Sequence, residues 1–187
     1  MLKKIGEDSV ITSDPAEISE AKKLILPGVG TFDSGVSKLK ELGIWTVLNE
    51  KVQVEKTPIL GICLGAQLMT ASSEEGVLGG FGWVEGSTVK FRIGQSSRHK
   101  IPNMGWAEVT QQKESKLFQG MQPLPKFYFV HSYHFSFADP APVLATSEYC
   151  YNFASAFEDK NVVGVQFHPE KSHKFGMHLL SNFSKNY

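Results

Sequence analysis

Cysteine is scarce in this chain. Its 187 residues hold only two, Cys63 and Cys150. Two thiols cannot build a disulfide framework, so a reducing, cytoplasmic setting is the default, with one thiol free for chemistry. Net charge is lacking as well, because 19 Lys plus Arg balance 19 Asp plus Glu. That balance excludes broad electrostatic binding to nucleic acid or an anionic membrane, although local basic patches stay possible. No run of about 18 apolar residues occurs, so no membrane-spanning helix is expected. The opening stretch, 1–8, is basic at the start but has no apolar stretch behind it, and it does not read as a secretory signal. Repeats and low-complexity linkers are absent too. What remains is a chain long enough for one α/β domain, 1–187, with a real core.

Helix and strand signals alternate through the first third. Asp14-Pro15 reads as an N-cap with Pro at the first helical position, predicting a short helix to about residue 21. Leu24-Ile25-Leu26 reads as a buried strand closed by Pro27-Gly28-Val29-Gly30. Helices are predicted over 33–42, ended by Gly43, and over 44–55. A second buried strand, 58–62, runs into a turn and helix over 63–69. This β-α-β-α order predicts a mostly parallel open sheet covered by helices. From Phe81 onward short strands rich in Val, Phe and Tyr are expected, around 84–91, 106–110, 127–130, 154–158 and 162–166. They add an antiparallel extension. The segment 172–186 carries a helical apolar pattern at Phe175, Leu179, Leu180 and Phe183.

Gly61-Ile62-Cys63-Leu64-Gly65 is G-x-C-x-G, the cysteine form of the nucleophile elbow. A strand turns sharply into a helix with the nucleophile at the strained apex, and flanking side chains would clash there. A thiol at a helix N-terminus is favoured as thiolate. The bland alternative is a buried Cys in a Gly-bounded turn. Val165-Gln166-Phe167-His168-Pro169-Glu170 delivers His168 at a strand end, with Glu170 two residues on. A carboxylate on one ring nitrogen fixes the tautomer and leaves the other nitrogen for the thiol proton. The alternative is a loop His with a chance acidic neighbour. The Pro27–Gly30 loop could aim the Val29 and Gly30 amides at an oxyanion, beside the Leu64 amide after the nucleophile. Taken alone, a structural turn is the simpler reading of that loop.

The other histidines show no metal-ligand spacing with the cysteines. His131 could shape a pocket. Phe127-Tyr128-Phe129 suits a core strand better than a stacking platform, Glu74-Glu75 a solvated helix end, and Cys150 an ordinary thiol.

Five segments occur together and in order: LPGVGTF (26–32), GICLGAQL (61–68), IPNMGW (101–106), YFVHSY (128–133) and GVQFHPEKS (164–172). In these the chain resembles the class I, triad-type glutamine amidotransferases (flavodoxin-like), and most nearly the glutaminase subunits of imidazole glycerol phosphate synthases. The resemblance implies Cys63 as nucleophile, His168 as its base and Glu170 as the group orienting His168. It implies an oxyanion hole from Val29, Gly30 and Leu64, and a glutamine site from Gln67, Glu75, Ser132 and Tyr133. It implies a heterodimer with a (β/α)8-barrel cyclase that docks near Pro102, Asn103, Met104, Trp106 and Tyr128 and receives the ammonia. No metal or organic cofactor is implied for the glutaminase step. The chain departs from the family in two places. It starts at Leu2–Gly6 within what would be the family's first helix, so the family's opening strand and its Asp-x-Gly-x-x-Asn stretch are not represented. Asn103 stands where His is common, and Ala107 where Asn is common. Those departures leave open a paralogue feeding a surface-sugar pathway, or a non-catalytic subunit. A γ-glutamyl hydrolase or cysteine peptidase on the same elbow lacks the IPNMGW segment.

Overall fold

The computed structural model describes residues 1–94 and 98–187. Asp14 caps α1 (Pro15–Ser19) by accepting the Ala16 amide at 2.9 Å, and Pro15 occupies the first helical position. Strand β1 (Leu24–Gly28) leads through the Gly loop into α2 (Phe32–Glu41). Gly43, at φ 70°, reverses the chain into α3 (Ile44–Asn49). The helix expected over 44–55 is split, since Glu50–Val54 widens into a π-type turn closed by Glu55 N–H onto the Glu50 carbonyl. Strand β2 (Ile59–Cys63) then meets α4 (Leu64–Gln67), a single turn rather than the longer helix expected.

The sheet has a parallel centre and an antiparallel wing. Strand β11 (Val162–Val165) and β1 flank β2, both parallel to it, with Gly61 in register with Leu26 on one side and Gly164 on the other. Beyond β11 the sheet continues antiparallel through β10 (Asn152–Asp159), β8 (Tyr133–Ser136) and β4 (Ser87–Lys90), with β3 (Ser72–Ser73) alongside β4. Strand β9 (Val143–Glu148) also pairs with β10 and carries β6 (Thr110–Gln111). A separate ribbon joins β5 (Asn103–Glu108) to β7 (Lys126–His131). This is the α/β architecture expected, with its parallel centre and antiparallel extension. The strand expected over 106–110 is divided between β5 and β6, while β3, β8 and β9 were not foreseen.

Both faces of the central strands are buried, as their unbroken apolar runs require. Ile59 and Val162 face a core shared with Ile18 of α1 and Ile44 and Leu48 of α3. Leu60, Ile62, Val163 and Val165 face the other way, toward Phe127, Phe129 and Phe167 and toward Leu179 and Phe183 of α5 (His173–Asn186). Each large side chain buried in this way contributes about 1.5–3 kcal/mol. Strand β1 pairs only with β2 among the described residues. Residues 7–14 ahead of it form neither helix nor strand, and Val10 and Ile11 there are exposed. Among the described residues no helix is long and apolar enough to cross a membrane.

Candidate active site

Cys63 ends β2 with φ 52° and ψ −113°, a conformation that a side-chain-bearing residue adopts only at a cost of about 1–3 kcal/mol. The flanking glycines make the turn possible. A Cβ on Gly61 would lie 2.5 Å from Ala66 Cα, and one on Gly65 would run into the Leu26 carbonyl. The elbow therefore presses α4 against β1 and β2 and pushes the thiol outward. Because α4 is one turn long, its macrodipole is small, so the helix N-terminus assists the thiolate less than the sequence suggested.

Cys63 lies at the wall of a cavity of about 370 Å³. Val29 and Gly30 reach it from the loop after β1, where Gly28 is in register with Cys63. Leu64, Gln67, Glu75, Ser132, Tyr133 and His168 complete the predicted set around the same space. One carboxylate oxygen of Glu75 already accepts the Phe32 amide at the start of α2, at 2.8 Å. Gln67 Nε2 donates to the Tyr133 carbonyl at 3.3 Å and to Gln166 Oε1 at 3.0 Å.

His168 begins the 3-10 turn Pro169–Lys171. Its Nδ1 pairs with Glu170 Oε1 at 2.6 Å, so Glu170 joins the site through the imidazole rather than by lining the cavity. Its main chain is clamped to β7. The His168 amide donates to the Tyr128 carbonyl at 2.9 Å, and Ser172 Oγ donates to the His168 carbonyl at 2.6 Å while accepting the Tyr128 amide at 3.0 Å. The remaining ring nitrogen, Nε2, is buried and is the only side-chain nitrogen or oxygen of that kind without a hydrogen-bond partner among the described residues.

The "Glutamine amidotransferase class-I" family model matches residues 4–186. The chain belongs to the class I glutamine amidotransferases. It is 55% identical over 185 residues to "Imidazole glycerol phosphate synthase subunit HisH 2" of Methanococcus maripaludis, covering 99% of this chain and 91% of that protein. It is 43% identical over 183 residues to the subunit of the same name from Pseudomonas aeruginosa, covering 98% and 90%. Among solved structures, one titled "Crystal structure of glutamine amidotransferase" superposes with a TM-score of 0.72 at 18% identity, covering 98% of this chain and 90% of that one, and supports the fold.

The electrostatics of this amidotransferase site favour one protonation pattern. Burial works against a charged His168, yet the Cys63 sulfur and the Glu170 carboxylate outweigh it and lift the imidazole to about 9. Burial likewise opposes the Glu170 charge, but the His168 contact overrides it and draws the carboxyl below its ordinary range. His131 is opposite in character. Burial drives it down to about 3, so it is neutral, and its Nδ1–H donates to the Tyr133 carbonyl at 2.7 Å. Burial, with Glu75 and Glu74 nearby, raises the Tyr133 hydroxyl.

The residues expected at a docking face divide. Met104 and Trp106 are 62% and 47% exposed on β5, Pro102 is exposed at the cavity rim, and Tyr128 is half-buried. Asn103 is buried instead, with Nδ2 3.1 Å from His131 Nε2, because strand alternation turns it opposite to Met104. Gln166 and Ser172 fall within the GVQFHPEKS segment, but the sequence assigns neither a role. Both hide among buried neighbours, and only their closeness to His168 in the chain hints at a role.

Proposed function

We propose that this chain is the glutaminase subunit of an imidazole glycerol phosphate synthase, acting in histidine biosynthesis and passing ammonia to a (β/α)8 cyclase subunit. The observation that carries the reading is that Cys63 and His168 line one cavity, with the Cys63 sulfur acting on the imidazole and Glu170 2.6 Å from its Nδ1. An imidazole fixed by a carboxylate on one nitrogen leaves the other for the thiol proton.

The steps follow from the residues. Cys63 Sγ attacks the carboxamide carbon of glutamine, and the carbonyl electrons move onto oxygen. On this reading the main-chain amides of Val29, Gly30 and Leu64, residues that line the cavity with Cys63, hold that oxyanion. His168, held in one tautomer by Glu170, keeps the proton taken from sulfur well above neutral pH and delivers it to the departing nitrogen, releasing ammonia. Water then attacks the thioester, with His168 taking its proton, and glutamate leaves. The free oxygen of Glu75 and the Oε1 of Gln67 suit the substrate's α-ammonium, and Ser132 and Tyr133 close the pocket.

The relatives named HisH support the histidine pathway over a surface-sugar pathway. The test is glutamine hydrolysis by the subunit with its cyclase and cyclase ligand, for the wild type and Cys63→Ala. The substitution is expected to leave the fold intact and abolish glutamate release. Glutamate release that survives it would sink the reading. Complementation of a histidine auxotroph by the pair assigns the pathway.

A further inference from the structure

A chain of hydrogen bonds, buried at both ends and part-buried at the Tyr133 carbonyl, runs from β5 to the nucleophile, and its direction can be deduced. The Tyr133 carbonyl can only accept. His131 Nδ1, 2.7 Å away, must therefore carry the hydrogen, and because that imidazole is neutral its Nε2 must accept from Asn103 Nδ2. The same carbonyl takes a second donor, which fixes Gln67 with its NH2 toward Tyr133. That NH2 also faces Gln166 at 3.0 Å, so Gln166 must turn its oxygen to Gln67. Its own NH2 is then left facing Cys63, with Nε2 3.7 Å from Sγ. Gln166 is completely buried, so no water competes for that amide. The Tyr133 carbonyl sets the direction of both branches, and flipping any amide would set two donors or two acceptors against each other.

We propose that Gln166 holds the nucleophile: its amide donates to Cys63 Sγ, and the Tyr133 carbonyl, through Gln67, locks the direction of that bond. An N–H donor binds a sulfur anion better than a neutral thiol, so the contact favours the attacking form and fixes the sulfur's position. It supplies at the side-chain level what the single-turn α4 is too short to supply through its dipole. The proposal rests on Cys63 being the nucleophile, but it concerns a property of the thiol alone and can fail separately.

The test is alkylation of Cys63 by iodoacetamide in the full-length chain, followed by mass spectrometry of the Cys63 peptide, with the Cys150 peptide as internal control. Gln166→Met keeps the side-chain length and removes both hydrogen bonds. Cys63 is expected to alkylate about ten-fold more slowly than wild type near pH 7, and at the wild-type rate near pH 10, where cysteines in general are largely thiolate. Cys150 should be unchanged. A Cys63 profile identical to wild type at both pH values overturns the proposal, since a purely structural Gln166 would lower stability without moving it. Should Gln166→Met fail to fold, the Gln166 side-chain amide resonances decide, followed by NMR in the wild-type chain as Cys63 is alkylated. A clear shift supports the contact, and unmoved resonances overturn it. Failure here leaves the glutaminase reading standing, and that reading falls only to the Cys63→Ala assay.

Discussion

His168 sits between the Glu170 carboxylate and the Cys63 sulfur, and each should leave a measurable trace. Glu170 sits 2.6 Å from Nδ1, and the Cys63 sulfur acts on the imidazole from the cavity side. Because the folded imidazole holds its proton to about 9, against about 6.5 for an unperturbed histidine, the folded state binds a proton more tightly than the unfolded chain. The resulting stabilisation is complete below about pH 6.5 and disappears as the pH rises through 9. Glu170→Gln removes the carboxylate charge beside the ring and leaves the Cys63 sulfur in place. Thermal melts across this window should show the wild type losing Tm more steeply than the variant, and kcat falling at least ten-fold at neutral pH because the tautomer is no longer fixed. Parallel Tm profiles would argue that Glu170 does not charge the imidazole. At this scale the sequence was informative. The G-x-C-x-G spacing and the two-residue step from His168 to Glu170 are local, and local chemistry survives in a linear string. Gln166 and Asn103 were not legible, because their partners lie 103 and 28 residues away in the chain.

At the scale of elements, β7 is what steadies the histidine. Ser172 Oγ bonds the His168 carbonyl and the Tyr128 amide at once, stitching the turn after β11 to the neighbouring ribbon. Ser172→Ala should leave the Tyr128 N–H buried without a partner and cost about 1–3 kcal/mol in urea denaturation. It should also lower kcat for glutamine hydrolysis more than it raises KM, since His168 loses its backbone anchor while the substrate pocket is untouched. An unchanged kcat would mean that Pro169 and the Tyr128 carbonyl suffice to hold the turn. The strands and helices themselves were legible where one face or period dominated, as in α5 and β2. The errors fell where tertiary contacts decide. Helix α4 stops after one turn where the Leu68 and Met69 carbonyls accept the Phe81 and Trp83 amides, and β9 reads as an ordinary mixed segment until β10 pairs with it. Pairing order across the antiparallel wing has no local signature.

Across the whole molecule, the β5–β7 ribbon stands between the cavity and an exposed aromatic face. Asn103 points from β5 into the hydrogen-bonded chain at His131, while Met104 and Trp106 point outward from the same strand. Trp106 stacks on His173 with centroids 5.5 Å apart and planes within 2°, and meets Tyr128 edge-on. Tyr128 is the residue whose main chain clamps His168. A partner seated on this face would thus press on the ribbon whose two strands carry the supports of the active site, Asn103 on β5 and Tyr128 on β7. A tryptophan that is rigidly stacked yet 47% exposed has the character of an interface anchor, since little side-chain entropy remains to be lost on binding. Trp106→Ala should change the stability of the isolated subunit by under about 1 kcal/mol, because the ring is not part of the core. If the proposed cyclase docks on this face, the substitution should weaken their association by about 2 kcal/mol or more, a loss of roughly thirty-fold in Kd measured by calorimetry. Cyclase-stimulated glutamine hydrolysis at limiting partner should fall with it, and should recover at saturating partner. An unchanged Kd would move the docking face away from β5. Recovery of binding without recovery of hydrolysis would instead show that Trp106 transmits docking to His168 as well as anchoring it.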